Sequence, residues 1–142
     1  MIISIVGTGY VGLVTGAVLA DYGNAVFCID IDQSKIEGLK QGHIPFYEPE
    51  LSELVLKNQQ SGRLQFTTNY SQAIAQTEIV FICVGTPSLP DGSVDLTFVH
   101  SAITQIAQSV STPLLIVVKS TAPIGIEQEL KQIIAQHTSI KC

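Results

Sequence analysis

Short β-branched runs alternate with amphipathic stretches along the whole chain, which predicts strand and helix in turn. Ile2–Val6 is an apolar run closed by glycine, and residues 11–22 follow with apolar positions at 11, 14 and 18, so the opening reads strand, tight turn, helix. Ala25–Ile29 predicts a second strand and residues 34–40 a short helix, after which Ile44-Pro45 and Glu48-Pro49 punctuate a loop. Pro49 suits the first turn of a helix carrying Leu51, Leu54 and Val55, which Gly62 would stop. Leu64–Thr67 predicts a third strand, Asn69 caps a short helix through Ile74, and residues 78–84 read as a strand buried on both faces. A loop rich in Gly, Pro and Asp over 85–95 leads into a helix with Val99, Ala102, Ile103 and Ile106 on one face. Residues 114–118 predict a fifth strand, and Ile126, Leu130, Ile133 and Ile134 mark a last helix. Residues 140–142 read as the first residues of a truncated sixth strand. The fold class expected is α/β, a doubly wound parallel sheet with helices on both faces.

Composition narrows the setting. A length of 142 residues predicts a single domain, residues 1–142. Hydrophobic residues are 46% of the chain and charged residues only 13%, so a sizeable core is expected together with surface that another domain or subunit covers, as in a homo-oligomer. Seven basic against twelve acidic residues, with no Lys/Arg cluster, argue against a nucleic-acid or membrane surface and for a small-molecule partner. Cys28, Cys83 and Cys142 show neither disulfide nor zinc spacing, which fits a reducing cytoplasm. Residues 1–20 end in Val18-Leu19-Ala20, yet they lack a basic residue and carry glycines at 7, 9, 12 and 16, unlike a secretory signal.

The strongest chemical signal is Gly7-Thr8-Gly9-Tyr10-Val11-Gly12. A GxGxxG run alone is weak, but this one follows a predicted strand, opens a helix, and is followed by Asp30 at the end of the next strand, 18 residues beyond Gly12. Together these predict a Rossmann-type dinucleotide site. Gly7 allows the tight turn, Gly9 lets the backbone approach a pyrophosphate, and Gly12 permits close helix–strand packing, while the helix N-terminus offers free N–H groups. The Asp30 carboxylate would accept hydrogen bonds from the adenosine ribose and repel a 2′-phosphate, which predicts NAD rather than NADP. A helix-capping or merely solvated acid is the other reading of Asp30.

In such a sheet the nicotinamide half of the cofactor lies over the loops after the fourth and fifth strands. Val84-Gly85-Thr86-Pro87-Ser88 and Lys119-Ser120-Thr121-Ala122-Pro123 occupy those places, each bringing a hydroxyl to a strand end. From spacing alone, Thr86 and Thr121 read equally well as ordinary turn chemistry.

These motifs, with Tyr47-Glu48-Pro49, Asp91-Gly92-Ser93 and Asp95-Leu96, occur in an order that resembles the N-terminal domain of the UDP-glucose/GDP-mannose dehydrogenase family, over nearly the whole chain. The Val-Gly-Thr-Pro and Asp-Gly-Ser stretches most resemble the UDP-glucose 6-dehydrogenase branch. The resemblance implies a two-step oxidation of a nucleotide sugar's primary alcohol to a carboxylate with two NAD, through an aldehyde held by a cysteine thiolate. It implies that Gly7, Gly9, Tyr10, Val11 and Gly12 contact the pyrophosphate, Asp30 and Lys35 the adenosine ribose, and Thr86 and Thr121 the nicotinamide side. Thr121 also matches a threonine thought to position a water. Lys35 carries no such signal of its own and reads otherwise as an exposed helix lysine.

The family pattern is broken at Glu50, where glycine is common, and at Ile126, where threonine is frequent. The family's catalytic glutamate, nucleophilic cysteine and sugar pocket are expected beyond Cys142. Cys28, Cys83 and Cys142 are therefore not assigned as nucleophiles, nor are His43, His100 and His137 given a role. The expectation is an NAD-binding domain that binds cofactor without turnover, in a protein acting on a UDP-sugar. A free-standing NAD-binding regulatory module is the alternative, and another oxidoreductase sharing only the fold is a third reading.

Overall fold

Five strands form one wholly parallel sheet in a computed structural model that describes all of residues 1–142. In chain order the elements are β1 (Ile2–Val6), α1 (Tyr10–Asp21), β2 (Ala25–Ile29), α2 (Gln33–Lys40), α3 (Leu51–Gln60), β3 (Leu64–Thr67), α4 (Tyr70–Ile74), β4 (Ile79–Ile82), α5 (Thr97–Ser109), β5 (Leu115–Val118) and α6 (Ile126–His137). The spatial order is β3-β2-β1-β4-β5, so the chain winds outward from β1 and then returns to β1's other side. That reversal opens a crevice beyond the carboxyl ends of β1 and β4.

Period-2 alternation decides which helix covers which face. Ile3 and Ile5 of β1 point into a core with Leu13 and Ala17 of α1, Ile36 of α2 and Val55 of α3. Val6 points the other way, into a core with Ile74 of α4, Ile103 and Ile106 of α5 and Leu130 of α6. Each such fully buried aliphatic side chain contributes about 1.5–3 kcal/mol. Ser4 shares Val6's side of the strand and is fully buried, so its hydroxyl needs a partner. Thr77 provides one: its Oγ1 donates to the Ala73 carbonyl at 2.7 Å and therefore accepts from Ser4 Oγ, also at 2.7 Å.

Three expectations are corrected. Pro49 does not open α3: Glu50 is the N-cap and stands in the left-handed region at φ 65°, so the helix begins at Leu51. The fourth strand is Ile79–Ile82, shorter than 78–84: past it the Lys119 and Ser120 N–H groups both turn to the Ile82 carbonyl, at 2.8 and 3.1 Å, which ends the ladder with β5. Residues 140–142 form no strand; the Lys141 carbonyl accepts one bond, from Leu114 N–H at 3.1 Å just before β5, and Cys142 packs against the core of that face. Asn69 does cap α4, its Oδ1 accepting from Gln72 N–H at 3.0 Å, and Gly62 ends α3 with φ 74°. No helix is long and apolar enough to cross a membrane.

Candidate functional site

The turn after β1 is fastened to both neighbouring strands, Gly7 N–H donating to Ile29 O at 2.8 Å and Cys83 N–H to Val6 O at 2.7 Å. At Gly7, φ is 97°, and a Cβ would stand 2.6 Å from the Cys83 carbonyl oxygen, so only glycine fits. At Gly12 a Cβ would stand 1.9 Å from Gly7 O, and at Gly16 one would stand 2.6 Å from Cys28 Sγ. These glycines let α1 lie hard against the sheet. Gly9 differs: a Cβ there would meet nothing within 4 Å.

Gly9 is the N-cap of α1, without a side-chain cap bond and with no acid in the first turn. The first-turn N–H groups of Tyr10, Val11 and Gly12 have no intrahelical acceptors, so their donors and the positive helix end face the space above Gly9. Tyr10 and Val11 are about half exposed there, and Gly12 is buried. The Tyr10 ring packs at 5.1 Å from Phe46, and its hydroxyl donates to the Glu48 carboxylate, which also pushes the phenol's pKa up.

A cleft of about 220 Å³ occupies the crevice. Gly7 and Gly9 line it from β1, Asp30 and Ile31 from β2, and Val84 and Gly85 from β4. Lys35, Tyr70 and Phe98 close its sides from α2, α4 and α5. Asp30 Oδ2 accepts three hydrogen bonds, from Thr8 N–H at 2.9 Å, Thr8 Oγ1 at 2.6 Å and Lys35 Nζ at 2.9 Å. Oδ1 takes one long bond, from Asp32 N–H at 3.2 Å. Burial raises the Asp30 pKa, but the Thr8 hydroxyl and N–H, then Lys35 and Asp32, outweigh it and hold the carboxyl below its usual range. The capping alternative for Asp30 falls away, since Asp32 caps α2 by accepting from Lys35 N–H at 3.1 Å.

Gly7, Gly9, Asp30 and Lys35 thus share one cleft, whereas Thr86 and Thr121 lie outside its lining and make no hydrogen bond through their side chains. Thr86 is half-buried and Thr121 exposed on adjoining loops. Ser120 ties those loops together, its Oγ donating to the Val84 carbonyl at 2.7 Å. Sequence reasoning passed over Thr8, Tyr70, Phe98 and Ser120. Only Tyr70 was within reach, as the residue following the Asn69 cap at the end of the third strand. Burial pushes the Cys83 thiol up to about 11 and the Cys28 thiol higher still, away from the thiolate form.

The donor set fits a dinucleotide: uncapped helix N–H groups over an open glycine for a diphosphate, and a carboxylate with acceptor capacity beside them for a ribose. Comparison with known proteins agrees. The sequence model described as "UDP-glucose/GDP-mannose dehydrogenase family, NAD binding domain" matches residues 1–142. A UDP-glucose 6-dehydrogenase of Rhizobium meliloti is 46% identical over 96% of this chain and 31% of its own length. One of Bacillus subtilis is 44% identical over the same shares. Among solved structures, a ternary complex of GDP-mannose dehydrogenase from Pseudomonas aeruginosa superposes with TM-score 0.94 at 34% identity, over 99% of this chain and 33% of that one. This chain therefore spans about a third of the length of the relatives it matches.

Proposed function

Because the chain belongs to the UDP-glucose/GDP-mannose dehydrogenase family and matches its NAD-binding domain, we propose that residues 1–142 are the cofactor-binding domain of a nucleotide-sugar 6-dehydrogenase. The curated relatives named for UDP-glucose support UDP-glucose, oxidised to UDP-glucuronate, as its substrate. Bound NAD supplies the hydride acceptor, two being reduced for each alcohol taken to a carboxylate. The protein's own part is to bind and orient. The first turn of α1, at Tyr10, Val11 and Gly12, donates N–H groups to the diphosphate across the open face of Gly9. Asp30 accepts from the adenosine ribose and Lys35 holds its charge in place. Thr86 and Thr121, on loops held together by Ser120, face the nicotinamide side, where Thr121 positions a water.

The observation that carries this reading is the convergence, in one cleft, of the uncapped α1 terminus, the open Gly9 and the Asp30 carboxylate. No thiol in these 142 residues has its pKa lowered: Cys28 and Cys83 are buried, and burial raises all three, Cys142 included, which supports a domain that alone binds NAD without turnover. The remaining parts of the reading are a cytoplasmic location, a homo-oligomeric whole protein and a sugar site contributed elsewhere in it. Titration calorimetry with NAD and NADP, followed by addition of UDP-glucose under absorbance detection, tests the core of it. NAD should bind at least about tenfold more tightly than NADP, and no NADH should form. Equal affinity for NADP would remove the role of Asp30, and NADH formation would overturn the inactivity.

A further inference from the structure

We infer that Thr8, the unspecified residue between the first two glycines of the turn, is a positioning residue that makes the cofactor site selective for a ribose carrying a free 2′-hydroxyl. The inference deepens the proposed function, because it rests on Asp30 meeting the adenosine ribose.

A carboxylate on a strand end rotates broadly about its last torsion, so its two oxygens are interchangeable unless something distinguishes them. Thr8 distinguishes them. Its backbone N–H and its hydroxyl converge on Oδ2 at 2.9 and 2.6 Å, two donors from one residue on one oxygen. The N–H belongs to a turn fastened to β2 and β4, and the Thr8 side chain is fully buried, so neither donor can swing away. Lys35 Nζ adds a third donor to the same oxygen at 2.9 Å, but from a flexible side chain that remains 30% exposed. With Oδ2 filled, Oδ1 holds the remaining acceptor capacity, having only the 3.2 Å bond from Asp32 N–H. Asp30 itself is 11% exposed and lines the cleft. A ribose hydroxyl is thus met by one fixed, ionised oxygen, and a hydrogen bond to a held charge discriminates more strongly than one to a mobile group. Removing the Thr8 hydroxyl leaves the turn intact and takes away the shortest of the three bonds that hold Oδ2, so the carboxylate is held less firmly and selectivity falls while the rest of the site remains.

The test is the affinity ratio between NAD and its analogue lacking the adenosine 2′-hydroxyl, measured by calorimetry on the wild type, Thr8→Val, Thr8→Ala and Thr8→Ser, with circular dichroism melts alongside. The wild type should prefer NAD by roughly tenfold or more. Thr8→Val, isosteric in a site that tolerates no extra volume, should cut that preference at least about threefold through NAD alone, leaving the analogue's affinity unchanged. Thr8→Ala should do the same, and Thr8→Ser, which keeps the donor, should restore the preference. Equal weakening of both ligands would mean a purely structural threonine and overturn the inference. An unchanged preference in Thr8→Val would overturn it as well, with the ribose reading of Asp30 intact. A wild type that does not distinguish the two ligands removes that ribose reading and this inference with it.

Discussion

Gly9→Ala and Gly12→Ala separate the glycine that serves the ligand from the one that serves the fold. At Gly12 an added Cβ would lie 1.9 Å from the Gly7 carbonyl oxygen and 3.2 Å from Cys83 Cβ. Ordinary contact begins at 3.4 Å, so α1 would have to retreat by about 1.5 Å from the Gly7 carbonyl. Overpacking of this kind costs about 1–3 kcal/mol, and here the obstacle is backbone, which places Gly12→Ala at the upper end or above it. In a domain with on the order of 10 kcal/mol of stability that is a large fraction. At Gly9 the backbone has φ −72° and ψ −170°, an extended conformation open to any residue, and the added methyl meets nothing within 4 Å. Gly9→Ala should therefore leave stability within about 1 kcal/mol of wild type, the less flexible unfolded chain offsetting alanine's poorer fit at an N-cap. The same methyl would stand in the space above the α1 terminus, and NAD affinity should drop at least about tenfold. Urea unfolding without ligand and calorimetry with NAD read the two effects separately. A Gly9→Ala domain that loses as much stability as Gly12→Ala, or that binds NAD undiminished, would refute the division of labour.

Two further outcomes follow from particular residues. Glu50 is the one non-glycine residue with positive φ, at 65°. Glu50→Gly relieves about 1–2 kcal/mol of left-handed strain against about 0.5–1 kcal/mol of added unfolded-chain entropy. A higher urea midpoint is expected, and a lower one would contradict the strain. Asp30 has its folded pKa lowered below 3.8, so its contribution to stability is present above that value and is lost as pH falls through the folded value. Without ligand, the stability gap between wild type and Asp30→Asn should shrink on acidification through this range, and a gap that widens would show the sign to be wrong.

The doubly wound sheet was legible because each element announces itself locally: β-branched runs for the strands, a 3.6-residue period for the helices, and caps at Asn69 and Gly62. The errors arise where a tertiary partner overrules a local preference. Residues 78–84 are a largely apolar run, yet the ladder ends where the Lys119 and Ser120 N–H groups both turn to the Ile82 carbonyl. Pro49 is a good first-turn residue, but the left-handed Glu50 shifts the helix start past it. Residues 140–142 have strand-like composition, but the Lys141 carbonyl accepts only one bond, from Leu114 N–H just before β5. The glycine turn and Asp30 fall in one cleft, as their spacing implies, because a single βαβ unit dictates that spacing. Thr8 and Ser120 were not legible, because their partners Asp30 and Val84 lie 22 and 36 residues away and hydroxyls in loops carry no periodic signal.

Hydrogen-bond capacity sorts the residues of the turn. Groups that serve the fold or hold Asp30 have spent theirs: Gly7 N–H on Ile29, Ser4 on Thr77 and Thr77 on Ala73, Thr8 N–H and Oγ1 on Asp30. Groups left with capacity are the α1 first-turn donors, Asp30 Oδ1 and the hydroxyls of Thr86 and Thr121, and all of them lie at the carboxyl ends of the strands. Donors over Gly9 and an acceptor at Asp30 match the two ends of an adenosine diphosphate, negative at the phosphates and hydroxylated at the ribose. The charge pattern points the same way, since Lys35 is committed to Asp30 Oδ2 and no arginine approaches the carboxylate to welcome a 2′-phosphate. On the proposed reading, the ribose is then met by Asp30 Oδ1, the carboxylate oxygen that Thr8 and Lys35 leave with acceptor capacity.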